Sequence, residues 1–150
     1  MKNSLLEMLF GDEGQEVMVL KANSSLLPYK VTVYPLTEKN LRVIPVSTPI
    51  GNYRLGYIED RVFHVRYVGR SVADGKGLIR RIYDHVKEHE KGIYPDETHF
   101  QFMIKKFPIN AYYQECQDFH DFGGETTLRN NIHPAKLKKL LMLKCPFCGQ

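Results

Sequence analysis

The chain has 150 residues, enough for one domain with its own core and too few for two ordinary domains. Its content of 43% hydrophobic and 25% charged residues is typical of a soluble globular protein and argues against global disorder. The net charge of +4 permits binding to a polyanion without requiring it. No apolar run has the length of a membrane span, and the apolar stretch near the N-terminus is too short for a signal peptide. We therefore expect a cytoplasmic protein.

The first 47 residues predict small elements that we expect to pack on the main domain as an extension. Apolar residues at its start indicate a short amphipathic helix over residues 1–12. Patterns typical of strands follow at residues 16–21, 30–34 and 41–46. Proline and glycine then punctuate the chain, and we place a domain boundary near residue 48.

Residues 53–68 predict a β-hairpin whose turn is formed by the pair Asp60-Arg61. In this register Tyr53 falls beside Val68 and Tyr67 at one end of the ribbon, whereas Tyr57 faces His64. Further elements follow in chain order: a helix over residues 78–91, a strand over 100–107, a helix over 111–122 and a short basic helix over 134–143.

Two polar residues of the first of these helices point to phosphate chemistry. Arg81 and His85 are one helical turn apart and project from the same face. A guanidinium group binds a phosphate with two parallel hydrogen bonds, and a histidine gains or loses a proton near neutral pH. On the next helix, Glu115 offers a carboxylate of the kind that holds Mg²⁺ together with waters and substrate phosphate.

A family resemblance emerges from the order and spacing of these residues. The motifs are Gly51-x-Tyr53-x-Leu55, Tyr67-Val68-Gly69, Arg81-x-x-x-His85, Glu115 and Asn130. Together they resemble the GIY-YIG nuclease superfamily over residues 50–134. The resemblance implies an α+β fold, in which a small three-stranded antiparallel sheet is flanked by helices. It also implies a Mg²⁺-dependent endonuclease that binds DNA and hydrolyses its phosphodiester bonds.

The resemblance implies roles for the tyrosines of the hairpin. Tyr53 would be the general base that activates water, and Tyr67 would position that water or the scissile phosphate. A tyrosine with a pKa near 10 is a weak base, so we expect Mg²⁺ and Arg81 to depress the pKa of Tyr53. Asn52 stands where the family has an aliphatic residue, and Gly56-Tyr57-Ile58 is an alternative first motif.

The resemblance also implies roles for the downstream residues. Arg81 would stabilise charge on the phosphate, and His85 occupies the position where the family has histidine or tyrosine. Glu115 would bind the metal, and Asn130 would support the site. Asn131 remains an alternative to Asn130.

The cysteines predict a second, structural site. The sequence Cys145-Pro-Phe-Cys148-Gly is typical of a zinc knuckle, which supplies two thiolate ligands. Cys116 and His120 are one turn apart on a predicted helix, so both can face one metal ion. We expect Cys116, His120, Cys145 and Cys148 to bind Zn²⁺, with His133 as a rival ligand.

These observations divide the chain into an extension (residues 1–47), a nuclease-like domain (48–143) and a zinc-knuckle tail (144–150). The favoured function is a Mg²⁺-dependent DNA endonuclease. The alternative is a catalytically weak nucleic-acid-binding or adaptor module that keeps the scaffold and the zinc site.

Overall fold

The computed structural model describes residues 14–21, 27–72 and 77–150, and these form a closed five-stranded β-barrel with two helices packed against it. The strands are β1 (Gln15–Val19), β2 (Tyr29–Pro35), β3 (Gly51–Glu59), β4 (Val62–Ser71) and β5 (His99–Ile104). The helices are α1 (Gly77–Glu90) and α2 (Pro108–Asp121), with short 3₁₀ turns at Lys39–Val43 and Gly124–Thr126. The helix predicted over residues 1–12 lies outside the described residues.

The strand order around the barrel is β1-β2-β5-β3-β4. The neighbours in this order pair antiparallel, and a short parallel contact between β4 and β1 closes the barrel. The predicted fold, a three-stranded sheet flanked by helices, is therefore wrong. Strands β1 and β2, which we assigned to an extension, continue the sheet because β2 pairs with β5 on one edge and with β1 on the other.

Alternating apolar residues explain why the strands close on themselves. Every second residue of a strand faces the same side of the sheet. Buried side chains of β1, β2 and β4 meet in one cluster with residues from α2 and the turn after it: Val17, Val19, Val31, Val33, Phe63, Val65, Val68, Phe119, Phe122 and Leu128. Burying this face removes apolar surface from water, which favours the closed arrangement over an open sheet.

The β3–β4 hairpin has the predicted turn at Asp60-Arg61. Both residues have positive φ, 52° and 63°, as a two-residue turn with the twist of the flanking strands requires. Glu59 pairs with Val62 directly beside this turn, as expected from the sequence.

A bulge changes the pairing at the other end of the hairpin. The register shifts between Leu55 and Gly56, so Tyr53 pairs with Gly69 and not with Val68. The Tyr53 ring lies directly over Gly69, where a Cβ atom would come within 2.4 Å of the ring. Glycine is therefore needed here for close approach.

The helices attach through apolar stripes and a buried ion pair. Leu78, Ile82 and Val86 of α1 are fully buried in a cluster that contains Tyr53. On α2, the carboxylate of Asp118 accepts hydrogen bonds of 3.1 and 2.7 Å from Nε and Nη2 of Arg54, a buried residue of β3. In the described part of the chain, no helix is both long and apolar enough to cross a membrane.

Two predicted elements are wrong. Residues 41–46 do not form a strand, because the 3₁₀ turn at Lys39–Val43 and the residue after it bury Leu41 and Ile44 on one side. Residues 134–143 do not form a helix. There the carbonyl oxygen of Ala135 accepts a hydrogen bond from Arg70 instead of serving a helical turn.

Candidate functional site

A cleft of about 280 Å³ brings together residues from separate elements of the barrel and both helices. Four of the six predicted catalytic residues line it: Tyr53 from β3, Tyr67 from β4, Arg81 from α1 and Glu115 from α2. The opposite wall is the segment Ala135–Lys138, which adds the side chains of Lys136 and Lys138. Arginine and lysine therefore outnumber carboxylates along the cleft, which suits an anionic ligand.

The other two predicted catalytic residues do not line the cleft: His85 contacts two residues that do, and Asn130 bonds to the strand beside one of them. His85 Nε2 lies 3.0 Å from the Tyr53 hydroxyl, and its ring centroid is 4.8 Å from that of Tyr67. The Tyr53 and Tyr67 rings are stacked with their centroids 6.0 Å apart. Asn130 holds β4 next to Tyr67, because its amide donates to the carbonyl oxygen of Val68 and accepts from the amide N–H of Val68.

The neighbours of His85 bear on which of its two ring nitrogens carries the proton. Nδ1 lies 3.1 Å from the carboxylate of Glu88, which can only accept a hydrogen bond when ionised. Nη2 of Arg129, which can only donate, also lies 3.4 Å from Nδ1. In the neutral tautomer that donates from Nδ1 to Glu88, Nε2 accepts the hydrogen bond that the Tyr53 hydroxyl donates. Tyr53, His85 and Glu88 thus form a chain of hydrogen-bonded side chains.

The pKa values of these groups depend mainly on burial. Burial raises the pKa of Tyr53 well above 10.0, and the charges of Tyr67 and Glu115 raise it further, whereas Arg81 lowers it. The expected depression of the Tyr53 pKa is therefore not found among the described residues. Burial lowers the pKa of His85 below 6.5, against the carboxylate of Glu88, and the charge of Arg129 lowers it as well. Tyr53 is thus protonated beside a neutral histidine.

Glu115 offers one carboxylate to the cleft. Burial raises its pKa, while the ion pair with Arg70 lowers it. An oxygen donor beside a cleft fits Mg²⁺, which often rests on one or two carboxylates and completes its shell with water and phosphate. Arg70 was not among the predicted site residues, and it occupies this carboxylate in the structure.

Arg81 reaches the same cleft from α1. Its Nε atom is buried and has no hydrogen-bond partner among the described residues. Buried donors are nearly always paired in native proteins. An unpaired guanidinium N–H at the wall of a cleft is therefore a group that an anionic ligand can satisfy.

A second network, which the sequence analysis missed, lies beside the tyrosines. Arg129 makes hydrogen bonds of 2.6 and 2.9 Å to the carboxylate of Glu97. Its guanidinium carbon is 4.2 Å from the ring centroid of Tyr67 and 3.6 Å from that of Tyr94. Its position directly before Asn130 was the one available signal in the sequence.

A cluster of side chains that could hold a metal ion is present, with one change from the predicted ligand set. The side-chain ligand atoms of His120, His133, Cys145 and Cys148 all lie within 4.8 Å of one another, so this cluster can bind a metal such as zinc. Cys116, the predicted fourth ligand, is replaced by the rival ligand His133.

The position of Cys116 explains this correction. Cys116, a residue of α2, is fully buried in an apolar cluster with Tyr112 and Cys145. Burial raises the pKa of the Cys116 thiol to about 12, which disfavours the thiolate that binds metal. For Cys145, burial is outweighed by hydrogen bonds from the backbone of Phe147 and from His133, which lower its pKa to about 6.

One segment connects the two sites. His133 belongs to the metal cluster, and the residues that begin two positions later form the cleft wall. Arg70 binds this wall at the carbonyl oxygen of Ala135 while it pairs with Glu115. Comparison of the chain with protein-family models, curated proteins and solved structures found no match in any of the three.

Proposed function

We propose that the protein is a Mg²⁺-dependent endonuclease that hydrolyses DNA phosphodiester bonds. The observation that supports this most is the meeting of Tyr53, Tyr67, Arg81 and Glu115 in one cleft, although they lie on four different elements. These residues also carry the sequence resemblance to GIY-YIG nucleases. A merely structural origin of the motifs gives no reason for them to line a common cleft.

The proton chemistry of hydrolysis is assigned to Tyr53 and His85. As water attacks phosphorus and the P–O bond to one deoxyribose oxygen breaks, the Tyr53 oxygen accepts a proton from the water while its own proton passes to His85 Nε2. Glu88 stabilises the resulting imidazolium through Nδ1. The leaving oxygen takes a proton from solvent, and His85 later returns its proton to solvent. This route avoids a free tyrosinate, which burial disfavours at this position.

The charge chemistry is assigned to Arg81 and Glu115. Arg81 lines the cleft, has a buried and unpaired Nε–H, and would stabilise the negative charge that develops on the phosphate. Glu115 would hold Mg²⁺, which when bound supplies a Lewis acid that polarises the phosphoryl oxygens. Tyr67 packs against both Tyr53 and His85 and would keep their rings in place.

For the second site we propose a structural Zn²⁺ bound by His120, His133, Cys145 and Cys148. Two imidazoles and two thiolates form a closed tetrahedral set of the kind found in structural zinc sites. Because His133 precedes the cleft wall, the zinc would also fix Lys136 and Lys138 at the edge of the cleft.

One observation favours the alternative function of a nucleic-acid-binding or adaptor module. Glu115, the carboxylate assigned to Mg²⁺, is paired with Arg70. A protein that kept this pair closed would retain a basic cleft without a metal ligand. Such a module would bind DNA and leave its backbone intact.

The experiment that separates these functions is incubation of supercoiled plasmid DNA with the protein and Mg²⁺. We expect nicking or linearisation by the wild type and none by Glu115→Ala or Arg81→Ala. Glu59→Ala and Arg61→Ala, at the exposed hairpin turn, serve as matched controls and should cleave normally. DNA binding without cleavage by the wild type would favour the module, and equal cleavage by all five proteins would indicate a contaminating nuclease.

A further inference from the structure

Arg129 contacts two candidate catalytic residues, Tyr67 and His85, but does not line the cleft where DNA would bind. Its guanidinium lies between two aromatic faces, 4.2 Å from the Tyr67 centroid and 3.6 Å from the Tyr94 centroid. An arginine between two aromatic rings restricts both rings as well as itself.

Glu97 fixes the orientation of this guanidinium. Glu97 is only 2% exposed, and its carboxylate accepts hydrogen bonds of 2.6 and 2.9 Å from Nε and Nη2 of Arg129. Two parallel hydrogen bonds leave the planar fork little rotational freedom. The backbone is held too, because the Arg129 amide donates to the carbonyl oxygen of Arg66 at 2.6 Å.

The same guanidinium also faces His85. Nη2 of Arg129 lies 3.4 Å from His85 Nδ1. The other charged or titratable groups that act on His85 come from its own helix and from the hairpin: Glu88 and Asp84 on α1, Tyr53 on β3 and Tyr67 on β4. Burial lowers the pKa of His85 most; Glu88 and Asp84 favour the charged imidazole, and Arg129 opposes them.

We propose that Arg129 is a positioning residue of the active site, a role that rests on the proposed nuclease function. Held by Glu97, it fixes the Tyr67 ring and keeps His85 an uncharged acceptor for the Tyr53 hydroxyl. Without Arg129, the carboxylates on α1 would act on His85 without this opposing charge. The His85 ring would then be positively charged at a pH at which the wild-type ring is neutral and can accept the Tyr53 proton.

The first readout is the protonation of His85, followed by NMR titration of the histidine rings. The His85 signal is identified by its loss in His85→Gln. We expect the pKa of His85 to rise in Arg129→Met and to stay at its wild-type value in Arg61→Met, a matched control at the exposed hairpin turn. Arg129→Lys keeps a positive charge, so its His85 pKa should stay low.

The second readout is DNA cleavage by the same proteins. Arg129 does not line the cleft, so Arg129→Met should lower kcat at least about tenfold through lost positioning, while KM changes by less than about twofold. The acidic limb of its kcat profile should move to higher pH. Arg129→Lys loses the fork to Glu97 but keeps the charge, so its kcat should fall less and its acidic limb should stay in place.

An unchanged His85 pKa in Arg129→Met would overturn the proposal. If Arg129→Met does not fold, Arg129→Lys decides: wild-type kcat overturns the proposal, and a reduced kcat with unchanged KM and a low His85 pKa supports it. A failure of the proposed nuclease function can be told apart from a failure of the role proposed for Arg129. If wild-type protein does not cleave DNA while Arg129→Met still shifts the His85 titration, the electrostatic control of His85 stands and the nuclease assignment falls.

Discussion

The hydroxyl oxygen of Tyr53 lies 3.0 Å from Nε2 of His85, so a strand of the barrel and helix α1 share one proton-bearing contact. This pair overcomes a weakness of a lone tyrosine base. Burial holds the pKa of Tyr53 well above 10.0, and a free tyrosinate is therefore disfavoured. With a neutral histidine as acceptor, Tyr53 can pass on its proton at the moment it takes one from water.

We expect Tyr53→Phe to lower the cleavage rate by about 100-fold or more, because it removes the oxygen that exchanges protons with water and His85. The matched control is Tyr57→Phe. Tyr57 belongs to the alternative first motif, but it pairs with His64 near the other end of the hairpin, with ring centroids 4.9 Å apart. Single-turnover cleavage of labelled DNA measures both variants. A large loss in Tyr57→Phe with normal activity in Tyr53→Phe would reverse the assignment.

The pH dependence of cleavage should report His85. Its neutral form accepts the Tyr53 proton, and burial together with Arg129 lowers its pKa below 6.5. As the pH falls, the rate should therefore decline with a midpoint below pH 6.5, where the ring becomes protonated. Initial rates at fixed Mg²⁺ concentration test this. A midpoint at or above pH 6.5 would be inconsistent with a histidine base of lowered pKa.

Zinc content should follow the cluster found in the structure. We expect Cys148→Ser and His133→Ala to lose zinc and to melt at lower temperature, because each removes one ligand of a tetrahedral set. Cys116→Ala should keep its zinc, since Cys116 is buried outside the cluster. Metal analysis after gel filtration measures all three. Zinc loss in Cys116→Ala with retention in His133→Ala would restore the ligand set predicted from sequence.

The ion pair between Arg54 and Asp118 should stabilise the attachment of α2 to the barrel. Arg54→Met leaves a fully buried carboxylate without its cation and should reduce the free energy of unfolding by about 3–5 kcal/mol. Urea unfolding measures this loss. Arg54→Met combined with Asp118→Leu should recover much of it, and Arg80→Ala, which breaks the exposed pair with Asp84, should change stability by about 0.5 kcal/mol or less. A similar loss in Arg80→Ala would refute this role.

Local pattern predicted much of the hairpin, because its turn and alternation are set by neighbouring residues. The turn at Asp60-Arg61 and the facing of Tyr57 and His64 both follow from a two-residue connection. The bulge beside Leu55 could not be predicted from the sequence, because one extra residue in a strand does not change its hydrophobic pattern clearly. Barrel closure was missed for a related reason: it depends on pairing between strands distant in sequence.

In the candidate sites, too, some residues were predicted from the sequence and others were not. The motif residues came from the family resemblance, and the structure brings Tyr53, Tyr67, Arg81 and Glu115 to one cleft. Only the position of Arg129 directly before Asn130 pointed to it in the sequence, because its partners lie on other segments and it belongs to none of the motifs. The structure groups His133, and not Cys116, with the other three ligands, whereas Cys116 lies fully buried with Tyr112 and Cys145.

The decisive measurement is single-turnover cleavage of a labelled DNA duplex by wild-type protein and Glu115→Gln at the same Mg²⁺ concentration. Glutamine keeps the size of the side chain and removes the charge that would hold the metal. We expect the wild type to cut the duplex, EDTA to stop the reaction, and Glu115→Gln to be slower by about 100-fold or more. Equal rates for the two proteins, or no cleavage by a folded wild type loaded with Mg²⁺, would contradict the nuclease assignment.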